Sequence, residues 1–323
     1  MPHAIIHIIK DLPRGAAQTP GERNLALGLL AFCWLLAAGV FIAVKWAGTY
    51  TPPWTLVFFR LLFATLFLLP FVASHFREMA KALRDHYRII LAIGALGLAL
   101  TQGALFTALH NSSAINVSIV FSVWPITAVI LAALFLGDRL TWLQIFGVIL
   151  CFGGVLVVVA QGHPDTIINM GVNSGDLLVI VAVACFSFYT IMIKKVAIDL
   201  AALPLLVLIL GSASLASAPF FAWEIVHDER ISVDWHDIAA IAYVAIPGGG
   251  LMYLLFNTGI GMLGAAKASV TFYLQTLFTV VLAYFLLGEQ LHLYHAAGIA
   301  LIALGVILVT LVKPGNGHED SSG

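Results

Sequence analysis

Polar side chains recur at every fourth position of one apolar segment in the C-terminal part of the chain. Lys267, Thr271, Gln275 and Thr279 have this spacing, so all of them would lie close to one face of a helix. Ammonium, hydroxyl and amide groups on one face can bind a polar solute through directional hydrogen bonds. The same groups could instead fasten neighbouring helices together. Of these two alternatives, we favour the wall of a polar cavity.

Arg60 is the charged residue that lies well inside another apolar segment. It is six residues past Trp54, which is about 9 Å along a helix. Its guanidinium could face a cavity and bind a substrate carboxylate in a forked geometry. Alternatively, it could snorkel or bind carbonyl groups of a neighbouring helix.

Further candidates for substrate binding place an aromatic ring, an amide or a hydroxyl group in an otherwise apolar segment. Such groups suit a substrate that has apolar and polar parts, although each residue taken alone is more often ordinary packing. They are Trp34, Gln102, Asn116, Trp124, Ser187, Tyr189, Tyr253 and Asn257.

Catalytic chemistry is not indicated. The His318-Glu319 pair has no second histidine four residues later, so the zinc-protease spacing fails, and neither a phosphate loop nor a nucleophile elbow occurs. The acidic loop 227–237 lacks the ligand spacing of a metal site. We therefore expect no enzyme activity, no metal and no cofactor.

No acidic residue lies near the centre of an apolar segment, which favours exchange or facilitated movement over a proton relay.

Composition places these residues in a membrane. Of the 323 residues, 61% are hydrophobic and 10% are charged, whereas a soluble domain carries roughly 25% charged residues. The formal net charge of −1 gives no basic surface for nucleic acid. The lipid bilayer is thus an expected partner and nucleic acid is not.

A spanning helix needs about 20 mostly apolar residues, and ten segments qualify. They are 25–46, 54–74, 89–109, 113–136, 141–160, 175–195, 201–223, 236–258, 266–287 and 293–312.

Orientation follows from the lysine and arginine residues between these spans. With a cytoplasmic N-terminus, twelve lie on the inner side, four of them in the connection 77–88, and two, Lys45 and Arg230, on the outer side. This bias predicts that both termini are cytoplasmic. The segments 1–24 and 313–323 would then be a cytoplasmic extension and a disordered cytoplasmic tail.

An internal repeat divides the chain. At an offset of 151 residues, 109–158 aligns with 260–309 without a gap, and fourteen of those fifty positions are identical. Each copy, 25–160 and 175–312, holds five spans, so the second is inverted relative to the first, as in secondary transporters. The alignment pairs Asn116 with Lys267 and Trp124 with Gln275, which would face each other across one cavity.

The chain resembles the EamA-type ten-helix members of the drug/metabolite transporter superfamily. The resemblance rests on Trp34 followed by Lys45, on "FFRLLFA" with Arg60, and on the blocks "LFLGDRLTWLQIFGVILCFGGVLVV" and "AYFLLGEQLHLYHAAGIALIALGVILV". It implies export or exchange of small organic metabolites, often amino acids, through a cavity walled by both repeats. Because Arg60 belongs to this pattern across members with different substrates, we favour its structural role. Phe186 and Phe188 stand where many members have a tryptophan.

Two glycine patterns concern motion and packing. Pro247, Gly248, Gly249 and Gly250 interrupt the eighth span, where they could form a hinge or permit tight helix contact. The pairs Gly147/Gly154 and Gly298/Gly305 are each seven residues apart, and this spacing favours close packing of the fifth and tenth spans.

These observations predict an all-α integral membrane protein with ten helices in two inverted five-helix repeats. We expect a secondary transporter of a small amino-acid-like or similar amphipathic metabolite, acting by alternating access and directed outward, in a bacterial plasma membrane. The alternative is an uptake or exchange carrier for a sugar phosphate or nucleotide sugar. A channel or membrane-embedded enzyme is less consistent with the spans. A homodimer is as compatible with the sequence as a monomer.

Overall fold

The computed structural model describes residues 19–47, 51–136, 141–162, 173–196, 198–227, 235–263 and 271–311. Over these residues the chain is all-α, with no strand. In chain order the helices are Pro20–Ala47 (α1), Pro53–Leu68 (α2), Phe76–Ala92 (α3), Leu100–Asn111 (α4), Ala114–Phe121 (α5), Trp124–Leu136 (α6), Trp142–Val159 (α7), Ser174–Val196 (α8), Ala202–His227 (α9), Trp235–Ala245 (α10), Met252–Leu263 (α11), Tyr273–Leu282 (α12) and Leu293–Leu311 (α13).

Six helices of the described residues are long and apolar enough to cross a membrane. One of them, Pro53–Asn111, is 59 residues long and contains both the second and the third predicted span. Three shorter apolar helices, Ala114–Thr127, Tyr273–Leu287 and Leu293–Leu308, match the fourth, ninth and tenth spans. All ten predicted spans therefore coincide with apolar helix.

The connection between the second and third spans is helical rather than an open loop. A 3₁₀ turn at Leu69–His75 leads directly into α3. On α3, Arg77 and Arg84 are exposed, whereas Met79 and Ala82, three residues apart, are buried. This alternation produces an amphipathic helix, so the helical segment is longer than the apolar pattern alone indicates.

The fourth span is broken, although its apolar run predicts one continuous helix. Helix α5 ends at Phe121, and α6 begins at Trp124. Pro125 has no backbone N–H, so the carbonyl of Phe121 cannot receive the helical bond from that position. The turn at Ser122 is closed instead by hydrogen bonds from its N–H to the carbonyls of Ser118 and Ile119.

The third and eighth spans each contain a π-helical segment, Ile93–Ala99 and Ile246–Leu251. Gly97 in the first and Gly248 in the second are 151 residues apart, which is the offset of the repeat. Both halves of the chain therefore widen at corresponding places. Such π-helical insertions frequently occur at functional sites.

The two repeats interleave rather than forming separate halves. Helix α1 of the first repeat packs against α11 and α12 of the second, and α2 packs against α9. Helix α8 of the second repeat packs against α4 and α6 of the first. The core thus lies between spans of opposite repeats.

The fifth and tenth spans, α7 and α13, pack closely against each other through their glycines. A Cβ atom on Gly154 would lie 2.8 Å from the carbonyl oxygen of Gly298, and one on Gly298 would lie 3.1 Å from that of Gly154. Gly305 approaches the backbone of Gly147 in the same way. Larger side chains at these positions would force the helices apart.

Candidate functional site

An aromatic cluster lies where the first, fourth, sixth, eighth and ninth spans meet. Phe272 is central, with its ring 5.1 Å from that of Trp34 and 5.3 Å from that of Trp124, both edge-on. Trp34 also contacts Phe256 at 5.2 Å, and Trp124 contacts Phe186 at 4.9 Å. We define the aromatic cluster as Trp34, Phe121, Trp124, Phe186, Tyr189, Phe256 and Phe272. Both repeats contribute to it.

Trp34 is tied to the ninth span by a hydrogen bond. Its indole Nε1 donates to the Thr271 hydroxyl at 2.7 Å. The indole is 7% exposed, and a buried indole N–H requires a partner of this kind. Thr271, a member of the polar stripe, therefore positions an aromatic wall.

Trp124 has a buried indole nitrogen for which no hydrogen-bond partner exists among the described residues. Its own backbone carbonyl accepts from the Ser187 hydroxyl at 3.0 Å, and Ser187 also bonds to Thr127. The sixth span is thereby held against the break in the fourth span. The unpartnered N–H leaves a donor ready for a ligand acceptor.

Arg60 forms a second group of contacts on the second span. Its Nη1 donates to Gln102 Oε1 at 3.2 Å and its Nη2 to the Gly248 carbonyl at 3.1 Å. The guanidinium lies 5.5 Å from the centre of the Phe106 ring and within electrostatic reach of Tyr253. In the described part of the chain, its buried Nε is without a hydrogen-bond partner. We call Arg60, Gln102, Phe106, Gly248 and Tyr253 the arginine cluster.

Tyr189 joins the two clusters. Its ring stacks on Phe186 at 5.4 Å, and it lies against the third span, which also carries Gln102 and Phe106 of the arginine cluster. Gly97 in the third-span π-helix lies directly against the Tyr189 ring, because a Cβ at that position would be 2.9 Å from its Cδ2 atom. One continuous set of rings and polar groups therefore runs from Trp34 to Arg60.

The Pro247–Gly250 segment of the second repeat packs closely against the first repeat at the arginine cluster. The carbonyl of Gly248 accepts from Arg60, and a Cβ on Gly249 would meet Ala64 at 3.2 Å. Gly250 likewise packs directly on Phe67. Tight contact with the second span is thus a property of this segment, and a hinge there stays a prediction.

The ninth-span stripe is partly described. Thr279 is fully buried and donates to the carbonyl of Gln275 at 2.8 Å. Gln275 is 6% exposed, and its side-chain amide makes no hydrogen bond to the rest of the described structure. Lys267 lies outside the described residues. A buried amide without a protein partner is suited to bind a solute.

Among the described residues, the side chains of Asn116 and Asn257 form no hydrogen bond to a side chain of either cluster. Asn257 Nδ2 donates to the Tyr253 carbonyl of its own helix at 2.9 Å. The Asn116 Oδ1 atom is 2.8 Å from Nε2 of His295 in the tenth span. The alignment that pairs Asn116 with Lys267 gave no indication of His295.

One end of the bundle is held by polar contacts within the first repeat and between the two repeats; we call it the polar end. Glu224 at the end of the seventh span accepts from the backbone N–H groups of Trp54 and Thr55 at 3.0 and 2.7 Å. Lys45 donates to the Ser112 carbonyl at 2.6 Å. Asp176 accepts from the Ser112 hydroxyl, also at 2.6 Å. These carboxylates cap helices or hydroxyls across the interface between repeats.

A cavity of about 230 Å³ lies elsewhere, on the outer surface of the fourth, fifth and sixth spans. Its lining is apolar apart from Thr127, and it includes Phe152 and Ile180, which are exposed at the surface that would face lipid. Acyl chains would fill such a groove. Nothing in it resembles a polar substrate site, and the described residues contain no cluster suited to a metal ion.

The sequence reasoning overlooked Phe272 and Phe256 as site residues. Phe272 had a signal, because it is identical to Phe121 at the repeat offset, and both rings belong to the aromatic cluster at 6.2 Å from each other. Phe256 had none, since a phenylalanine in an apolar helix does not reveal which neighbour it contacts.

Several proteins are similar to this chain. The "Uncharacterized transporter YyaM" of Bacillus subtilis is 26% identical over 287 residues, which are 88% of this chain and 92% of that protein. The "S-adenosylmethionine uptake transporter" of Rickettsia bellii is 23% identical over 249 residues, 76% of this chain and 79% of that one. A solved structure entitled "Crystal structure of protein" superposes with a TM-score of 0.58 at 18% identity, covering 91% of this chain and 98% of its own.

A family model also matches most of the chain. The model of the EamA-like transporter family matches residues 24–160 and 173–311. The two matches fall on the two repeats, and the transporter names of the relatives agree with them. The protein is therefore a multi-pass membrane transporter, and it belongs to the EamA-like transporter family.

Proposed function

We propose that this protein is a secondary transporter that exports a small amino-acid-like metabolite by alternating access. The observation that carries the proposal is the continuity of the aromatic and arginine clusters through Tyr189, between the two repeats. A carrier of inverted repeats binds its substrate at that interface.

The substrate chemistry follows from the unpartnered donors. Arg60 uses both Nη atoms on protein acceptors, which leaves its buried Nε–H for an incoming carboxylate. The Trp124 indole supplies a second donor, and the surrounding rings supply an apolar surface. An amphipathic solute with a carboxylate and an apolar side chain would satisfy all three features.

The named relatives are compatible with this class of substrate. The Rickettsia bellii protein carries S-adenosylmethionine by name, and that compound contains an amino-acid moiety. That protein is named for uptake, whereas the family resemblance of the present chain implies export or exchange. The direction of transport is accordingly part of the proposal to be tested.

Alternating access requires the polar end to open. Glu224 and Lys45 hold it through contacts between the second span and the seventh, and between the first span and the turn that follows the third. Because Lys45 lies on the outer side in the orientation given by the charge bias, we place this end outside. Export then involves release of these contacts after the substrate has bound from the cytoplasm.

The test is a binding screen on the purified full-length protein. A panel of apolar and aromatic amino acids, their decarboxylated amines and sugar phosphates would be compared by thermal shift, because a ligand that binds the folded state raises its melting temperature. We expect stabilisation by the amino acids and none by the matched amines. Stabilisation by sugar phosphates alone would contradict the proposal.

Replacement of one indole of the site by a phenyl ring provides the matched variant. Trp124→Phe removes the indole N–H but keeps a ring, so we expect binding to weaken by about 1 kcal/mol, or roughly fivefold. Trp142→Phe is the control, because Trp142 is 86% exposed on the outer surface. Counterflow of the best ligand in proteoliposomes, measured in both membrane orientations, then gives transport and its direction. Equal loss of binding in both variants would contradict a role for Trp124.

A further inference from the structure

His295 is a buried histidine in the first turn of the tenth span. Its Nε2 atom lies 2.8 Å from Asn116 Oδ1, and its Nδ1 atom accepts from the backbone N–H of His292 at 3.0 Å. His295 is 3% exposed and Asn116 is 4% exposed. A histidine from the second repeat therefore contacts a polar residue of the first repeat in a site nearly closed to solvent.

The hydrogen bonds fix the state of the ring. A backbone N–H can only donate, so Nδ1 of His295 must accept and carries no proton. In a neutral imidazole the proton is then on Nε2, which donates to the amide oxygen of Asn116. This orientation also fixes the amide, because its Oδ1 atom is directed to His295 and its Nδ2 group is left without a partner among the described residues.

The position of Asn116 connects this pair to the site. Asn116 is five residues before Phe121 of the aromatic cluster, which is about 7.5 Å along helix α5. A solute that extends from the aromatic cluster toward the polar end would reach the free Nδ2 donor. This step rests on the proposed function, in which the cluster holds the substrate.

The charged and titratable neighbours of His295 are few. Glu289 accepts from the backbone N–H groups of Ala114 and Ile115, which are two residues and one residue before Asn116. The ammonium group of Lys45 is close enough to Glu289 for an electrostatic interaction. Asp176 is bound to Ser112. The rings of His292 and Tyr294 are 5.7 and 4.2 Å from that of His295. The fifth span, packed along α13, contributes only Cys151, which bonds to Ile302 two turns further along.

We propose that His295 is a positioning residue, which in its neutral form orients the Asn116 amide to donate Nδ2–H to the transported solute. Protonation of His295 places a hydrogen on Nδ1, opposite the His292 N–H. The two hydrogens repel each other, the ring must turn, and Asn116 loses its fixed orientation. Acidification then weakens solute binding and leaves the rate at saturating solute largely unchanged.

The experiment measures exchange in proteoliposomes at equal pH on both sides, from about pH 7.5 to about pH 3.5, a range wide enough to protonate a buried histidine as well as an exposed one. Equal pH separates a positioning effect from coupling to a gradient. For the wild type we expect the apparent KM of the best ligand of the screen to rise at the acidic end of this range, toward a limit of about fivefold, which is the effect of losing one hydrogen bond completely. His295→Gln retains a donor for Asn116 but does not titrate, so its KM should be nearly independent of pH.

The matched control is His292→Gln, because the exposed His292 side chain changes while its backbone N–H remains. We expect this variant to keep the wild-type profile. The proposal would be overturned if the KM of His295→Gln still rose on acidification as in the wild type. It would also be overturned if the KM of the wild type did not change with pH.

A solute-free readout separates this inference from the proposed function. In protein labelled with ¹⁵N-histidine, NMR should show one histidine held as the neutral Nε2–H tautomer at about pH 7, absent in His295→Gln. If that signal is present but no amino acid binds, the proposed function fails and the assignment of the ring stands. If amino acids bind but the signal indicates the Nδ1–H tautomer, the inference on His295 fails.

Discussion

The carboxylate of Glu289 accepts a hydrogen bond of 2.7 Å from the backbone N–H of Ala114, at the first residue of helix α5. Its other oxygen accepts from Ile115 at 3.0 Å. A negative charge at a helix N-terminus is stabilised by the helix dipole and by the free N–H groups of the first turn. Here the charge comes from the second repeat and the helix from the first. The contact therefore ties the two repeats together at the polar end.

Neutralising this contact should favour opening of the polar end. Glu289→Gln keeps the size of the side chain but removes its charge. The free energy of the form with a closed polar end should therefore rise by about 1 kcal/mol relative to the open form. The measurement is labelling of a cysteine introduced at position 113, next to the contact, by a membrane-impermeant maleimide. We expect labelling to be about fivefold faster in the Gln variant.

Glu78→Gln is the matched control, because Glu78 is exposed on α3. It should leave the labelling rate unchanged. A Glu289→Gln protein that labels no faster than the wild type would show that the contact stabilises helix α5 without restricting access.

Gln275 tests the polar stripe as a cavity wall. Gln275→Ala should reduce substrate affinity by roughly 1–3 kcal/mol, because a buried amide makes hydrogen bonds that water replaces poorly. The melting temperature should change little, since the amide has no partner within the described structure. Leu277→Ala, at a residue 56% exposed toward the lipid side, should change neither quantity. A sharp fall in melting temperature with intact affinity would instead identify a helix-to-helix contact.

Topology can be tested by labelling from each side of the membrane. We predict that a cysteine at Arg84 on α3 and a reporter after Lys313 are reached only from the cytoplasm, and that a cysteine at Gln161 is reached only from outside. The reason is the excess of positive charge on the inner side. An external C-terminus would contradict both the orientation and the even number of spans.

Coupling to protons can be tested with the same proteoliposomes. No span has an acidic residue near its centre, so we predict that substrate flux persists when no proton gradient is imposed. Loss of flux under that condition, with binding retained, would contradict the prediction. Glu224 would then be the first residue to replace, because it is buried at the interface between repeats.

The spans and the repeats were predictable because a bilayer demands long apolar helices and short connections. The helix α3 was not, since its polar face resembles a loop when only hydropathy is considered. The π-helical segments were also missed, although the glycines of the eighth span marked one of them. A π-helix differs from an α-helix only in its hydrogen-bond register, which packing decides.

The site could be predicted only in part. Trp34 and Tyr189 were identified as candidates from their polar tips and Trp124 from the repeat alignment, and the structure groups them. His295 escaped notice because it stands at the start of a span, and its role depends on Asn116, which is 179 residues away in sequence. Contacts over such distances depend on how each helix is rotated about its axis, and apolar helices do not encode that rotation in their hydropathy.

The contact between Cys151 and Ile302 has a consequence for motion. The Cys151 thiol approaches the Ile302 carbonyl at 3.5 Å, and these residues are equivalent positions in the two repeats, as are Gly147 with Gly298 and Gly154 with Gly305. When an inverted-repeat carrier alternates, each repeat takes up the conformation of the other. That exchange leaves a contact between equivalent residues, such as Cys151 and Ile302, unchanged. It also converts the Gly154–Gly298 contact into the Gly305–Gly147 contact, which is already present. Under the alternating access proposed above, the fifth and tenth spans can therefore stay packed against each other in every state while the other eight predicted spans move relative to them.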